Sequence, residues 1–186
     1  MADRTLVAYA RSGGYDLHYA HDGVDPGTLG TATPFGGPTE RDLERVRERL
    51  APLGIDIDGA AGARSPVDPE PVATNRGWEA VVATLDYRAY DRVVRVGPSW
   101  TVDRYLACFF GLGDRGGESR DARGDGALLP VESREEPYAR GWFEGVKSTV
   151  ADGVRCGVRD ESRARSYMAG RVRAFAGDRT AYVGGA

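Results

Sequence analysis

The sequence predicts an α+β fold: a mostly antiparallel sheet opened by an N-terminal β-hairpin and covered by about four helices. Three observations predict it. Residues 5 to 21 alternate aromatic and β-branched positions around Ser12-Gly13-Gly14, "YDRVVRV" marks a central strand, and four later segments space apolar residues as helices do. At 186 residues, the chain is expected to form a single domain over residues 1–186 and to bury one core without disulfides.

The hairpin joins "TLVAYAR" to "YDLHYAH". With Gly13-Gly14 as a two-residue turn, Leu6, Ala8 and Ala10 share an apolar face with Tyr15, Leu17, Tyr19 and His21, and Asp16 faces Arg11 as His18 faces Tyr9. Thr39 and Asp42 then form a capping-box pair before "ERDLERVRERL", whose apolar stripe of Leu43, Val46 and Leu50 is narrow; a surface helix over 39–51 is expected, stopped by Pro52 and Gly54. Trp78, Val81, Val82 and Leu85 predict a core-facing helix over 75–86.

"YDRVVRV" is closed by Gly97-Pro98. The following "TVDRYLACFFGLG" fits either a helix or a buried strand at residues 101–110; pairing with "VVRV" as a hairpin favours the strand. A capping box at Ser133 and Glu136 predicts a helix over 134–152. There Tyr138, Trp142, Val146, Val150, Val154 and Val158 recur every four residues beside a row of Gly141, Gly145, Gly153 and Gly157, which implies close approach by another backbone. A period of four drifts around a straight helix, so a break is expected near Gly153 or Gly157. A last helix, 160–176, is expected to bury Ala164, Tyr167, Met168, Val172 and Phe175. Loops rich in glycine and proline, about 23–37, 59–72 and 111–127, are expected to be flexible, the last too polar to build core structure.

Composition narrows the function classes. The chain has no apolar run of membrane-spanning length and no signal-peptide core, so a cytoplasmic location without membrane contact is expected. Cys108 and Cys156 lack metal or disulfide-framework spacing and are expected as free thiols, Cys108 buried. Lys147 is the only lysine among 25 basic residues, the rest being arginine. Between Arg155 and Arg179, seven arginines face three carboxylates, a local charge of +4 in a chain of net charge −3.

Both histidines fall within "YDLHYAHDG". On a strand His18 and His21 point to opposite faces, which argues against one shared metal ion, and no further histidine exists to complete a zinc site. No metal and no cofactor are expected. A general acid or base at His18 or His21, with Asp22 at the exit of the strand, stays open as a catalytic reading. Gly111, Gly113 and Gly116 match G-x-G-x-x-G, but "ESRDARGDGA" gives no apolar face for the helix that would follow, so a loop is favoured. Arg159, Arg163, Arg171 and Arg173 are candidates for partner contact or for a nucleic-acid backbone. Interleaved Asp160 and Glu161 and the acidic whole make a protein partner or homo-oligomer the favoured reading.

The opening "RTLVAYARSGGYDLHYAHDG" and the later "TPFGG" resemble the start of a haloarchaeal family of small uncharacterised proteins, a domain of unknown function whose members begin LVAYxR…YDLHYxHxG. The resemblance implies a haloarchaeal source; it brings no activity, cofactor or catalytic residue. The chain is therefore expected to be a non-enzymatic binding or accessory protein acting through a protein partner or self-association. A small enzyme using the His18/His21 region and a nucleic-acid-binding protein remain the alternatives.

Overall fold

The computed structural model describes residues 3–54, 65–112 and 122–185. Among these, seven strands form one sheet: β1 (Thr5–Arg11), β2 (Gly14–Ala20), β3 (Ala73–Arg76), β4 (Arg92–Val96), β5 (Val102–Phe109), β6 (Gly126–Pro130) and β7 (Tyr182–Val183), in the order β3-β2-β1-β4-β5-β6-β7. Only β1 and β4 pair in parallel; the remaining neighbours are antiparallel, which makes the fold α+β. The helices are α1 (Glu40–Leu50), α2 (Trp78–Thr84), α3 (Glu136–Arg155) and α4 (Glu161–Ala176).

Strand alternation divides the core. One face carries Leu6, Ala8, Leu17, Val93, Tyr105 and Leu128, covered by Trp78, Val81 and Val82 of α2 and by Leu85. Arg95 also lies on this face, its guanidinium 5.0 Å from the Trp78 ring centre and donating to the Tyr182 hydroxyl at 3.3 Å, which ties β7 to the middle of the sheet. The opposite face is shared by two covers. Helices α3 and α4 pack Phe143, Val150, Met168 and Val172 onto Leu106, Cys108 and Leu129. Val24, Leu29, Phe35 and Val67 close over Val7, Tyr9, Val94 and Val96.

The hairpin keeps its predicted faces but not its register. Arg11 pairs with Gly14, so Ser12-Gly13 makes the turn, and Tyr9 sits opposite Asp16 where Arg11 was expected. Gly14 is needed in the strand: its φ is +148°, and a Cβ there would lie 2.7 Å from the Arg76 carbonyl of β3. A slip of two residues preserves side-chain parity. Arg11 Nε therefore still bonds Asp16 at 2.9 Å, and His18 still packs edge-on against Tyr9 at 5.2 Å, both now as diagonal neighbours.

Residues 101–110 are strand, as the hairpin argument favoured. Helix α1 has its capping box, with Asp42 N donating to Thr39 Oγ1 and Thr39 N to Asp42 Oδ2. Helix α2 begins at Trp78, not at residue 75, because Ala73–Arg76 is spent as strand β3 against β2. The 111–127 stretch does build core: Ala122 is buried and Gly126 and Ala127 open β6, while Gly113 and Gly116 lie outside the described residues. The 23–37 segment likewise sends Val24 and Leu29 inward. Residues 59–64 of the second loop also fall outside the description, and Val67 beyond them is buried.

Helix α3 ends at Arg155, followed by Gly157 at φ +70°, where the drift of the apolar row predicts a break. Its expected capping box is absent: Glu135 occupies the N-cap position and makes no side-chain cap bond, its carboxylate accepting from Arg179 instead. Helix α4 buries Ala164, Met168 and Val172, but Tyr167 is exposed and Phe175 only half-buried. Both thiols are free, Cys108 buried and Cys156 exposed. No helix among the described residues is long and apolar enough to cross a membrane.

Candidate functional site

The histidine segment does not converge on one centre. His18 is buried; its Nδ1 lies 2.9 Å from the Asp68 carbonyl, and its ring packs on Tyr9 and, at 5.3 Å, on Phe35. His21 is exposed, with Nδ1 3.1 Å from the Tyr19 hydroxyl on the other side of the sheet. Asp22 is exposed too and lines a cleft of about 520 Å³ together with Asp3, Asp25, Arg92, Arg104 and Ser133, without either histidine. Among the described residues no group of three or more His, Cys, Asp or Glu is placed to hold a metal ion.

That cleft opens at the seam between the two covers on the sheet. Arg92 of β4 shares the inward face of Val94 and Val96, and Arg104 of β5 pairs with Val94 across the strands. Two inward guanidiniums would be costly to bury alone, and Glu136 at the start of α3 meets them. Its side chain is 6% exposed. Arg92 grips it bidentately, with Nε 3.0 and 3.1 Å from the two carboxylate oxygens and Nη2 at 2.5 Å. Arg140 reaches it at 3.0 Å from one turn along the helix, and Arg104 Nε pairs with it at 3.0 Å without the alignment of a hydrogen bond.

This arrangement displaces the expected cap. Charged, bidentate bonds are stronger than a neutral cap, so Glu136 turns inward, while Ser133 Oγ accepts from Arg104 Nη1 at 2.6 Å. Arg92 also pairs with Asp3. Burial opposes charge on Glu136, but hydrogen bonds and attraction from Arg92, then Arg140 and Arg104, hold its carboxyl below the ordinary glutamate range. Burial and the neighbouring Arg92 draw Arg104 down. Sequence patterning missed this cluster; the available signal was an arginine at position 92 on the inward parity of a valine strand.

A second place gathers the C-terminal candidates. Arg159 stacks on Tyr167, with Cζ 4.6 Å from the ring centre, and Arg163 pairs with Asp160 at 3.3 Å. Arg171 and Arg173 are exposed, and neither makes an ion pair among the described residues. Arg171 rims a shallow groove of about 350 Å³ between α3 and α4, floored by Trp142, Gly145, Val146 and Tyr167. Beside it Trp142 stacks on Phe175 at 4.3 Å, and Tyr138 next to Phe175 is 69% exposed. Among the described residues the glycine row receives no other backbone: Gly141, Gly145 and Gly153 have nothing within 4 Å of where a Cβ would be.

The model of a family described as "Family of unknown function (DUF6735)" matches residues 1–183. No curated protein and no solved structure matches the chain.

Proposed function

The chain belongs to that family of unknown function, and from its own surface we propose that it is a non-enzymatic binding or accessory protein that works by self-association, a second copy docking on the outer face of α3 and α4. The observation that carries this is the open glycine ridge: Gly141 and Gly145 leave room for a facing helix, and none of the described residues fills it. The flanks are self-complementary. Glu144 lies on one side of Gly145 and Arg171 on the other, and neither makes an ion pair among the described residues. A two-fold contact would set each copy's Arg171 against the other's Glu144, as an isologous interface requires.

A cytoplasmic, haloarchaeal setting is part of this reading, supported by the use of arginine over lysine and by the two free thiols. Association is therefore to be measured in low and in molar salt. Light scattering should give twice the 20.0 kDa chain mass, and Gly145→Glu, at a fully open position, should return the single-chain mass with unchanged circular dichroism. A concentrated wild-type sample that stays at single-chain mass in both salts would overturn the reading. Binding to DNA that falls steeply with salt would replace it with the nucleic-acid alternative, through Arg171 and Arg173.

A further inference from the structure

The seam around Glu136 is balanced in charge but not in hydrogen bonds. Four buried side-chain atoms among the described residues have no hydrogen-bond partner, and three of them lie here: Asp3 Oδ1, Thr5 Oγ1 and Arg104 Nε. Thr5 is fully buried on β1, beside Arg92 of β4 on the same inward face. Asp3 gives its other oxygen to Arg92, and Arg104 gives Nη1 to Ser133. Glu136 Oε2 lies 3.0 Å from the Nε atoms of both Arg92 and Arg104, but it is aligned as an acceptor only for Arg92. Buried polar groups are completed by the fold, by ordered water or by a bound molecule.

The cleft that opens on this seam has two unlike walls. Its volume of about 520 Å³ falls within the range of small-molecule sites, about 300–1,000 Å³. One wall is the segment leaving β2. Gly23, at φ +76°, brings its backbone against the ion pair of Asp3 and Arg92, where an added Cβ would lie 3.2 Å from Asp3 Oδ2 and 3.3 Å from Arg92 Nη1. Asp22 and Asp25 flank this glycine on the exposed side, and neither makes an ion pair among the described residues. Asp25 Oδ1 accepts from the Gly27 N–H at 3.0 Å, which leaves Oδ2. The other wall is Arg104 with Ser133, whose Oγ accepts from Arg104 Nη1 at 2.6 Å and keeps its own proton to donate.

The walls stand within reach of one small molecule. Arg92 joins them, with Nη1 beneath Gly23 and Nε on the Glu136 oxygen that Arg104 also meets, each link being 3.0 to 3.3 Å. An ammonium and a carboxylate on one carbon, each with a hydrogen bond of about 2.9 Å, bridge partners roughly 8 Å apart, the scale of that gap. We propose that this cleft binds a free α-amino acid, its ammonium held by Asp22, Asp25 and the exposed edge of Asp3, and its carboxylate by Arg104 and Ser133. A simple anion would meet Asp22 and Asp25 with like charge, and a simple cation would meet Arg104 so; a zwitterion meets neither. Burial, then the neighbouring Arg92, draws Arg104 down while Glu136, Asp3 and Asp25 act the other way, and a ligand carboxylate would join that second group. The cleft shares no lining residue with the α3–α4 groove, so its occupancy is independent of self-association.

The test is equilibrium dialysis of the full chain against an equimolar mixture of the twenty L-amino acids at low salt, with the retained species identified by mass. At least one should be retained at millimolar concentration. Calorimetric titration then compares the best-retained amino acid with its N-acetyl and its carboxamide forms, which each lack one charge and should each bind about tenfold or more weakly. The double variant Asp22→Asn with Asp25→Asn, which keeps a capping side chain at position 25, should weaken binding about tenfold with unchanged circular dichroism. Retention of no amino acid overturns the proposal. So does an N-acetyl or carboxamide form that binds as tightly as its parent, or a folded double variant with wild-type affinity.

Discussion

The seam around Glu136 and the outer face of α3 and α4 both carry arginines, and they use them in opposite ways. In the seam, Arg92, Arg104 and Arg140 converge on one buried carboxylate, leaving the cleft beside Asp22 walled by cations already neutralised by Glu136 and Asp3. On the outer face the arginines stand in solvent, and what lies open is glycine and apolar surface: Gly141, Gly145, Tyr138 and the groove above Trp142. Arginine content is thus a poor guide to binding in this chain. A buried guanidinium must find its counter-ion within the fold, whereas the glycine row, unfilled among the described residues, leaves open space on the surface.

The contrast is broken most directly at Glu136. Glu136→Ala would leave Arg92 and Arg104 facing each other at the seam, and removing one partner of a buried ion cluster costs about 3–5 kcal/mol. Urea denaturation should show that loss as a lower midpoint at unchanged slope. A loss below about 1 kcal/mol, the range of surface pairs, would mean that the seam is solvated and no different from the outer face.

Acid should open the same seam. In the folded chain the Glu136 carboxyl sits below its ordinary value, so its contribution is complete above the unfolded pKa and is lost as pH falls through the folded one. Wild-type stability should decline from about pH 5 downward more steeply than that of Glu136→Gln, which cannot titrate there. Parallel curves for the two proteins would remove Glu136 as the cause.

How much of this was legible follows from what local patterns can encode. The alternation in residues 5–21 yielded the right faces, because parity survives a two-residue slip; the register was lost because Gly14 serves the approach of β3, a partner some sixty residues on and invisible to a hairpin rule. Strand β6 hid for a related reason. It is buried on both faces, so "GALLP" shows no alternation. The Ser133 and Glu136 spacing reads as a cap locally, and only the fold brings Arg92 close enough to take the carboxylate away. The sequence put His21 and Asp22 side by side at the exit of the strand; the fold has Asp22 lining the cleft and His21 Nδ1 beside the Tyr19 hydroxyl. The glycine row was read as implying close approach by another backbone, and among the described residues no backbone makes that approach at Gly141, Gly145 or Gly153, which is tertiary information.

Gly145→Ala sharpens the other side of the comparison with a smaller effect of mixed sign. A helical glycine whose Cβ would meet nothing should gain about 0.5–1 kcal/mol on becoming alanine, through helix propensity and a less flexible unfolded chain. The same methyl group would stand between two closely packed helices in a dimer. Chain stability measured at dilution should rise while the dimer dissociation constant increases. A loss of stability at dilution would show that the ridge is already covered within the chain.

The smallest effect belongs to the arginines that the sequence advertises most. Arg163 is 83% exposed and its only ion pair among the described residues is with Asp160, three residues away at 3.3 Å, while Asp160 already caps α4 through the Arg163 backbone N–H at 2.8 Å. Arg163→Ala removes the side-chain pair and leaves the cap, so denaturation midpoints should correspond to a change within about 0.5 kcal/mol. The cap bond remains, being made by a backbone that alanine also supplies. If Arg163→Ala nonetheless destabilised the chain as much as Glu136→Ala, exposed and buried arginines would be equivalent here, and the reason for placing recognition on glycine and apolar surface rather than on charge would be gone.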